Sequence, residues 1–320
     1  MSDQGQQKAQ FYAAMKLRFN KCLSVDMTCQ NDAIRAHSVQ NATALSLIEE
    51  AGHVSELKMR IVNDVPVCQF QPIGRNNAST FTGLCDTHDT EIFKPIDTKP
   101  LDIEDIEQLF LIAYRSITRE LHVVMENAVR LQSILERRIA VGLASKDEPS
   151  PEMIEATRAM YKSWLVWRYR YEHYDTCLIN GSFKTMLHSK FVIKGRQPVL
   201  AASSFFSESD PADQKKLMKL TRIALNIIPV AADETAVIFS YPKSQSGIAR
   251  KRIAPIILKA GDEKLLTLST LMLDATENFF VRPSHVNGWP QEKRELIEKS
   301  FLSTVSQSAY LKEMPELMLF

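Results

Sequence analysis

The spacing of apolar residues changes along the chain and divides it into three parts. The run "LDIEDIEQLFLIAYRSITRELHVVMENAVRLQSILERRIAVGL" holds no Gly or Pro before Gly142 and keeps its apolar residues at helical spacing. It predicts a helix of about 40 residues, roughly 60 Å long at 1.5 Å per residue. "SKDEPSP" ends that run, and "PEMIEATRAMYKSWLVWRYRYEHYDTCL" predicts a second helix with Pro151 near its start. The two form an antiparallel helical hairpin over residues 101–180. Residues 1–100 are shorter elements broken by polar loops. "NATALSLIEEAGH" reads as a helix capped by Asn41 and stopped by Gly52, and "HVSELKMRIV" and "PVCQFQ" alternate as two strands. In residues 181–320, strand patterns ("HSKFVIKG", "TAVIFSYPK") mix with helical ones ("DEKLLTLSTLMLDATENF", "PQEKRELIEKSFLSTVSQ"), which predicts a mixed α+β domain. The expected fold class is α+β.

Composition narrows the function classes. With 45% hydrophobic and 24% charged residues, the 320-residue chain matches an ordinary globular protein of two or three domains. A net charge of +1 gives no support for a chain that coats nucleic acid over its whole surface, though a local basic face stays open. No apolar stretch of about 18 residues and no basic start with an apolar core is visible, so the expectation is a cytoplasmic protein without a membrane partner. The five cysteines, at 22, 29, 68, 85 and 177, are an odd and sparse set, better read as metal ligands than as disulfides in a reducing compartment.

The metal chemistry concentrates in the N-terminal third. Cys22 and Cys29 are separated by "LSVDMT", enough for a tight knuckle, and Cys85 and His88 are separated by two residues. The segment after Cys85, "DTHDTEIF", reads as a short helix stopped at Pro95, whose first turn carries His88. Zinc takes four tetrahedral N or S ligands, and one pair on a knuckle with one on a helix start supplies them. The expected structural Zn²⁺ set is Cys22, Cys29, Cys85 and His88. Residues 30–84 separate its halves, and Cys68 competes for a place in it. The alternative is buried cysteines beside a surface histidine.

Between the halves stands "AIRAHSVQ", with His37 ending a strand-like stretch. A knuckle, a strand ending in His and a short helix opening with Cys-x-x-His resemble a treble-clef zinc finger, and the order resembles the HNH endonuclease family. Residues 20–97 are also similar to a set of uncharacterised bacterial proteins that share "AHSVQ", "GHV" and "IGRNNASTFTGLCDTHDTEIF". The HNH resemblance implies that His37 is the general base that activates water against a phosphodiester. It implies that Asp89, directly after the last zinc ligand, holds a catalytic Mg²⁺ or Mn²⁺. Two positions depart from that pattern. Ala36 stands where the family usually has a second metal ligand, and the middle Asn has only Asn41, Asn76 and Asn77 as candidates. His53 can complete a rearranged site or simply end a helix.

Outside this region the signals are weaker. Trp164, Trp167, Tyr171 and Tyr174 form one helical stripe near Arg158, Lys162, Arg168 and Arg170, read first as the packing seam of the hairpin and second as a base-stacking surface. "KSQSGIARKR" reads as a solvated basic loop and "ENFFVRPSHVNGWP" as a packed loop. No Gly-rich phosphate loop, dinucleotide fingerprint, HExxH or Gly-x-Ser-x-Gly signature is present. Two functions follow. One is a divergent HNH-like, metal-dependent nuclease or nucleic-acid-processing protein acting on DNA or another nucleic acid, in bacterial defence against foreign DNA. The other is a non-catalytic, zinc-stabilised interaction or sensor protein that meets a protein partner through the helical hairpin.

Overall fold

Three strands lack the alternation of polar and apolar residues because both of their faces are covered. β6 (Val199–Phe206) and β8 (Glu234–Pro242) are buried almost end to end, as is the first part of β7 (Arg222–Ala231). They lie inside a seven-stranded antiparallel sheet that also takes in β2 (His53–Val62), β3 (Val65–Gly74), β5 (Met186–Lys194) and β9 (Phe279–Val281). The order is β3-β2-β9-β6-β7-β8-β5 among the described residues. These come from a computed structural model that describes residues 13, 16–25, 28–63, 65–195, 197–206, 221–231, 233–307 and 310–320. The first twelve residues of the expected N-terminal module lie outside that set.

The chain divides into two compact units, each assembled from separated segments. One holds the described residues up to Ala36 with Phe81–Glu91 and Ile117–Asn180, and the other holds His37–Thr80, Ile92–Ser116 and Gly181–Phe320. The two-residue strands β1 (Ala36–His37) and β4 (Thr80–Phe81) pair with each other.

The sheet unit has an apolar layer on each face. On one side, Leu57, Cys68, Phe205, Leu225, Val237 and Phe239 pack with helices α5 (Ser246–Ile257), α6 (Gly261–Ala275) and α8 (Gln291–Gln307). On the other, Val54, Leu200, Ala202 and Phe280 meet Val39, Leu45, Ile48 and Ala78. The segment expected to be a helix from Asn41 to His53 is only a 3₁₀ turn, Leu45–Leu47. Its Ala44 cap offers no side-chain hydrogen bond, and burial of Leu45 and Ile48 in this layer decides its shape. The basic segment expected as a loop forms a 3₁₀ turn and most of α5, because Ala249, Ile253 and Ile256 give it a buried face. The segment expected as a packed loop contains β9 and the short helix α7 (Pro283–Asn287), where the His285 ring donates to the Leu319 carbonyl (2.9 Å).

Strand β3 forms the sheet edge and is blunted against further pairing. Its Phe70 N–H, directed off the sheet, donates to the Glu298 carboxylate of α8 (3.0 Å). Pro66 and Pro72 stand on the same outward-facing set and have no N–H to offer.

The other unit is built on two helices. Helix α1 (Asp86–Asp97) is shared between the units and runs through Pro95 rather than stopping there. The long helix α2 covers Ile106–Ala140, with the part from Ile117 onward in this unit, and α3 covers Pro151–Arg170, with Ser150 Oγ accepting from the Met153 N–H (3.1 Å). Arg138 pairs with Glu152 at one end (3.2 Å). At the other, His122 of α2 meets Thr82 and Arg170 of α3 meets the Leu23 carbonyl. The helices are therefore antiparallel. A π turn (Tyr171–Asp175) and helix α4 (Thr176–Asn180) follow.

The aromatic stripe of α3 is not the seam of this hairpin. Trp164 is 40% and Tyr171 51% exposed, and only Tyr174 of the four is buried. The buried side of α3 carries Ala156, Ala159, Leu165, Val166 and Tyr169, whose small members allow close approach. On the outer side Tyr161 stacks on Trp164 and Trp167 on Tyr171. Both faces of α3 hold apolar residues at helical spacing, so periodicity alone cannot choose between them.

Two stability predictions follow from this packing. Tyr174→Ala should cost about 3–5 kcal/mol in denaturant unfolding, and Trp164→Ala no more than about 1 kcal/mol. His188 on β5 is half-buried beside Ser240 (Nδ1 to Oγ, 2.8 Å), and desolvation, reinforced by Lys190, pushes its pKa down to about 4. The unfolded imidazole titrates near 6.5, so it takes up a proton that the folded one refuses. Stability should therefore fall by about 2–4 kcal/mol as pH drops from about 6.5 to 4. The difference between wild type and His188→Gln, measured by denaturation across that window, should show the loss; parallel curves would exclude His188 as its source.

Candidate metal centre

The cluster is assembled from two chain segments that are stitched backbone to backbone. Lys21 and Asp32 form a bridge that closes the loop carrying Cys22 and Cys29, and the Ala33 N–H donates to the Asn20 carbonyl (2.7 Å). Residues 26 and 27 of the expected knuckle lie outside the described residues. From that loop the Leu23 N–H reaches the Gly83 carbonyl (2.7 Å) and the Ile34 N–H the Leu84 carbonyl (2.8 Å). Gly83 has a steric reason, because a Cβ there would sit 2.4 Å from the Phe81 ring. Helix α1 then starts at Asp86 and presents His88 from its first turn back toward Cys85.

The ligand atoms are close enough together to share one metal ion. The ligating atoms of Cys22, Cys29, Cys85 and His88 all lie within 4.8 Å of one another. Cys29 Sγ is 3.8 Å from Cys85 Sγ, and His88 Nδ1 is 3.5 Å from Cys22 Sγ and 3.2 Å from Cys85 Sγ. A tetrahedron with Zn–S bonds of about 2.3 Å has S···S edges of about 3.8 Å. The set is compatible with a structural Zn²⁺ site, with His88 ligating through Nδ1. Four protein ligands close the coordination shell, which is the arrangement of a structural rather than a catalytic zinc.

The protein already differentiates the thiols. Burial pushes Cys22 up to about 11, although the Cys85 and Ser24 backbones oppose it. Burial acts in the same direction on Cys85, but hydrogen bonds from the His88 backbone and ring, and from Cys22 and Cys29, bring it down to about 7. The Cys85 N–H also donates to Cys22 Sγ (3.2 Å). Of these two thiols Cys85 is the nearer to being ionised at neutral pH, and a bound metal ion would favour the thiolate form of Cys22 as well.

Other candidates fall elsewhere. Cys68 packs in the sheet core with Leu57, where burial, and after it Glu277 and Glu298, raises its thiol to about 11. It is not a member of the cluster. His53 is exposed at the start of β2, with Nδ1 2.9 Å from its neighbour Ala51 O. Asp89 is half-buried on the first turn of α1, its N–H donating to the Cys85 carbonyl (2.9 Å), in the unit that holds the cluster.

His37 lies in the sheet unit at the end of β1, half-buried, with Nδ1 2.9 Å from the Ala78 carbonyl and 3.3 Å from Ser79 Oγ. Ala36 before it is buried and carries no ligand atom. The residues that hold His37, namely Ser38, Ala78, Ser79 and Asn278, gave no sequence signal of that role. Ser79 is an ordinary serine until its backbone is seen, and Asn278 is 240 positions from Ser38.

Fold and site together give an α+β protein with a Cys₃His cluster compatible with a structural Zn²⁺ site. No protein-family model, curated protein or solved structure matches the chain. No described helix is long and apolar enough to cross a membrane.

Purified protein should carry about one equivalent of zinc by elemental analysis. Cys85→Ser should lower metal content and solubility together, and chelation or acidification should release the ion while weakening folding, because proton and metal compete for the same thiolates. A fully folded protein that binds no zinc would remove the metal centre.

Proposed function

We propose that the chain is a divergent HNH-like, metal-dependent nuclease or nucleic-acid-processing protein, with its Cys₃His centre serving as the structural zinc site of a treble-clef module. The observation that carries this reading is the anchoring of His37. A carbonyl oxygen only accepts, so the 2.9 Å contact to Ala78 O puts the proton on Nδ1 and, in the neutral ring, the lone pair on Nε2. That is the state a general base needs. His37 would take a proton from water attacking a phosphodiester of DNA or another nucleic acid. Asp89 would offer a hard oxygen to Mg²⁺ or Mn²⁺, which polarises the phosphate when bound. Ala36 adds no second ligand, so water and the substrate's own oxygens would complete the shell. The thiol-rich centre suits a reducing, cytoplasmic setting, where cleavage of foreign DNA in bacterial defence is the role this chemistry fits.

A second reading has its own observation. The outer face of α3 and the π turn after it exposes Met160, Trp164 and Tyr171, residue types enriched at protein interfaces. On it, Arg158 pairs with Glu155 and Arg168 with Glu172, which leaves little net charge for nucleic acid. A non-catalytic interaction or sensor protein, with zinc only holding the fold and this face meeting a protein partner, agrees with that and with Ala36.

His37→Ala should keep zinc content and melting temperature while lowering Mg²⁺- or Mn²⁺-dependent DNA cleavage about 10²–10⁴-fold. Asp89→Ala should behave similarly but be partly rescued by more metal. If His37→Ala loses zinc or unfolds, His37 is structural. If wild type cuts neither DNA nor RNA with either metal, the binding reading replaces the nuclease.

A further inference from the structure

Residues around His37 are held more tightly than a surface turn requires. Ser79 has φ +59, in the left-handed region that a serine rarely occupies, and is only 7% exposed. Its Oγ lies 3.3 Å from His37 Nδ1, accepts from the Val39 N–H (3.3 Å) and donates to the Val39 carbonyl (3.1 Å). The Ser79 carbonyl accepts from both the N–H and the Oγ of Ser38, each at 3.0 Å. Asn278, just ahead of β9, donates to Ser38 Oγ (2.9 Å) and to the Ala202 carbonyl, which ties this small network to the central sheet. Ser38, Ser79 and Asn278 are all buried.

Buried polar side chains and a left-handed non-glycine residue persist only where the surroundings over-determine them, and such strain gathers at functional sites. The apolar layer of Val39, Leu45, Ile48 and Ala78 could close a turn without them. What they fix is the peptide joining Ala78 to Ser79, and with it the carbonyl that receives the His37 Nδ1 proton.

We infer that Ser79 is the positioning residue of the His37 site. Its left-handed backbone and its Oγ clamp to Val39 aim the Ala78 carbonyl at Nδ1, which holds His37 in one tautomer and one ring orientation with Nε2 as the basic nitrogen. The inference rests on the reading of His37 as a general base, and it is tested by a measurement that does not need activity.

The test is ¹⁵N NMR of histidine-labelled, zinc-loaded full-length protein at neutral pH. His37, one of seven histidines, is assigned by the signal missing in His37→Gln. In wild type the His37 ring should be protonated at Nδ1 only. Ser79→Gly permits the same φ but removes Oγ, and Ser79→Ala removes Oγ while keeping the unfavourable φ. Both should mix the two tautomers, with Ser79→Ala melting lower, and any DNA cleavage should lose about 10–100-fold in kcat with KM unchanged. An Nε2-protonated wild-type ring overturns the inference, and so does a single unchanged tautomer in either serine variant. The wild-type measurement decides even if the variants do not fold. Mixed tautomers in the variants of a protein that cleaves nothing uphold the positioning role and retire the nuclease reading alone.

Discussion

The metal centre depends on a few backbone hydrogen bonds between segments far apart in sequence. The Leu23 N–H to Gly83 carbonyl and Ile34 N–H to Leu84 carbonyl bonds lay the Cys22 loop against the chain entering α1. Closing a loop of about 60 residues costs on the order of 3–4 kcal/mol in chain entropy, more than two hydrogen bonds return at about 1 kcal/mol each. A zinc ion bound by the four side chains would more than make up that difference, since a closed thiolate–imidazole site contributes on the order of 10 kcal/mol at neutral pH.

The helical hairpin braces the same loop from outside the ligand set. Arg170, at the end of α3, pairs with Asp175 in the π turn (3.1 Å), both groups almost wholly buried, and donates to the Leu23 carbonyl (2.7 Å), one residue from a zinc ligand. A buried ion pair is weak evidence for stability, because desolvation consumes most of the attraction. Its effect here is orientation. It fixes the Leu23 carbonyl, next to Cys22, and it joins the end of α3 to the end of the π turn that follows. Meanwhile His122 of α2 meets the Phe19 carbonyl (2.9 Å) and the Thr82 hydroxyl (2.8 Å), so both helices hold the strand-like segments on either side of the ligands.

What the sequence made legible follows from the range of each signal. Cys22, Cys29, Cys85 and His88 could be singled out because thiols and imidazoles at short spacings have few other uses, and the long helices because a 3.6-residue period repeats many times. β6 and β7 stayed hidden, since strands covered on both faces show no alternation and "VLAASSFF" has no turn signal inside it. The stripe at Trp164 and Tyr171 misled because two apolar faces share one helix and the alanines won the interior. Contiguous domains were the natural expectation for residues 1–100, 101–180 and 181–320. Strand pairings such as Ser55 with Val281 span more than two hundred positions and carry no local trace, yet they place β2 and β3 in the sheet of the last third. The network at Ser79 and Asn278 was illegible for the same reason.

The composition of the cluster also bears on where chemistry can take place. A zinc ion held by Cys22, Cys29, Cys85 and His88 would have no position left for water or substrate and would be structural, not catalytic. Any reaction must use groups outside the shell. Among those the sequence singled out, His37 is distinguished by its surroundings: a carbonyl at 2.9 Å and a buried serine in an unfavourable backbone conformation, with Asn278 bracing the neighbouring Ser38. Nothing about zinc binding calls for that arrangement, since it lies in the sheet unit and supplies no ligand. Backbone strain and buried polar networks of this kind gather at functional sites, and that is the ground on which the proposal for His37 stands.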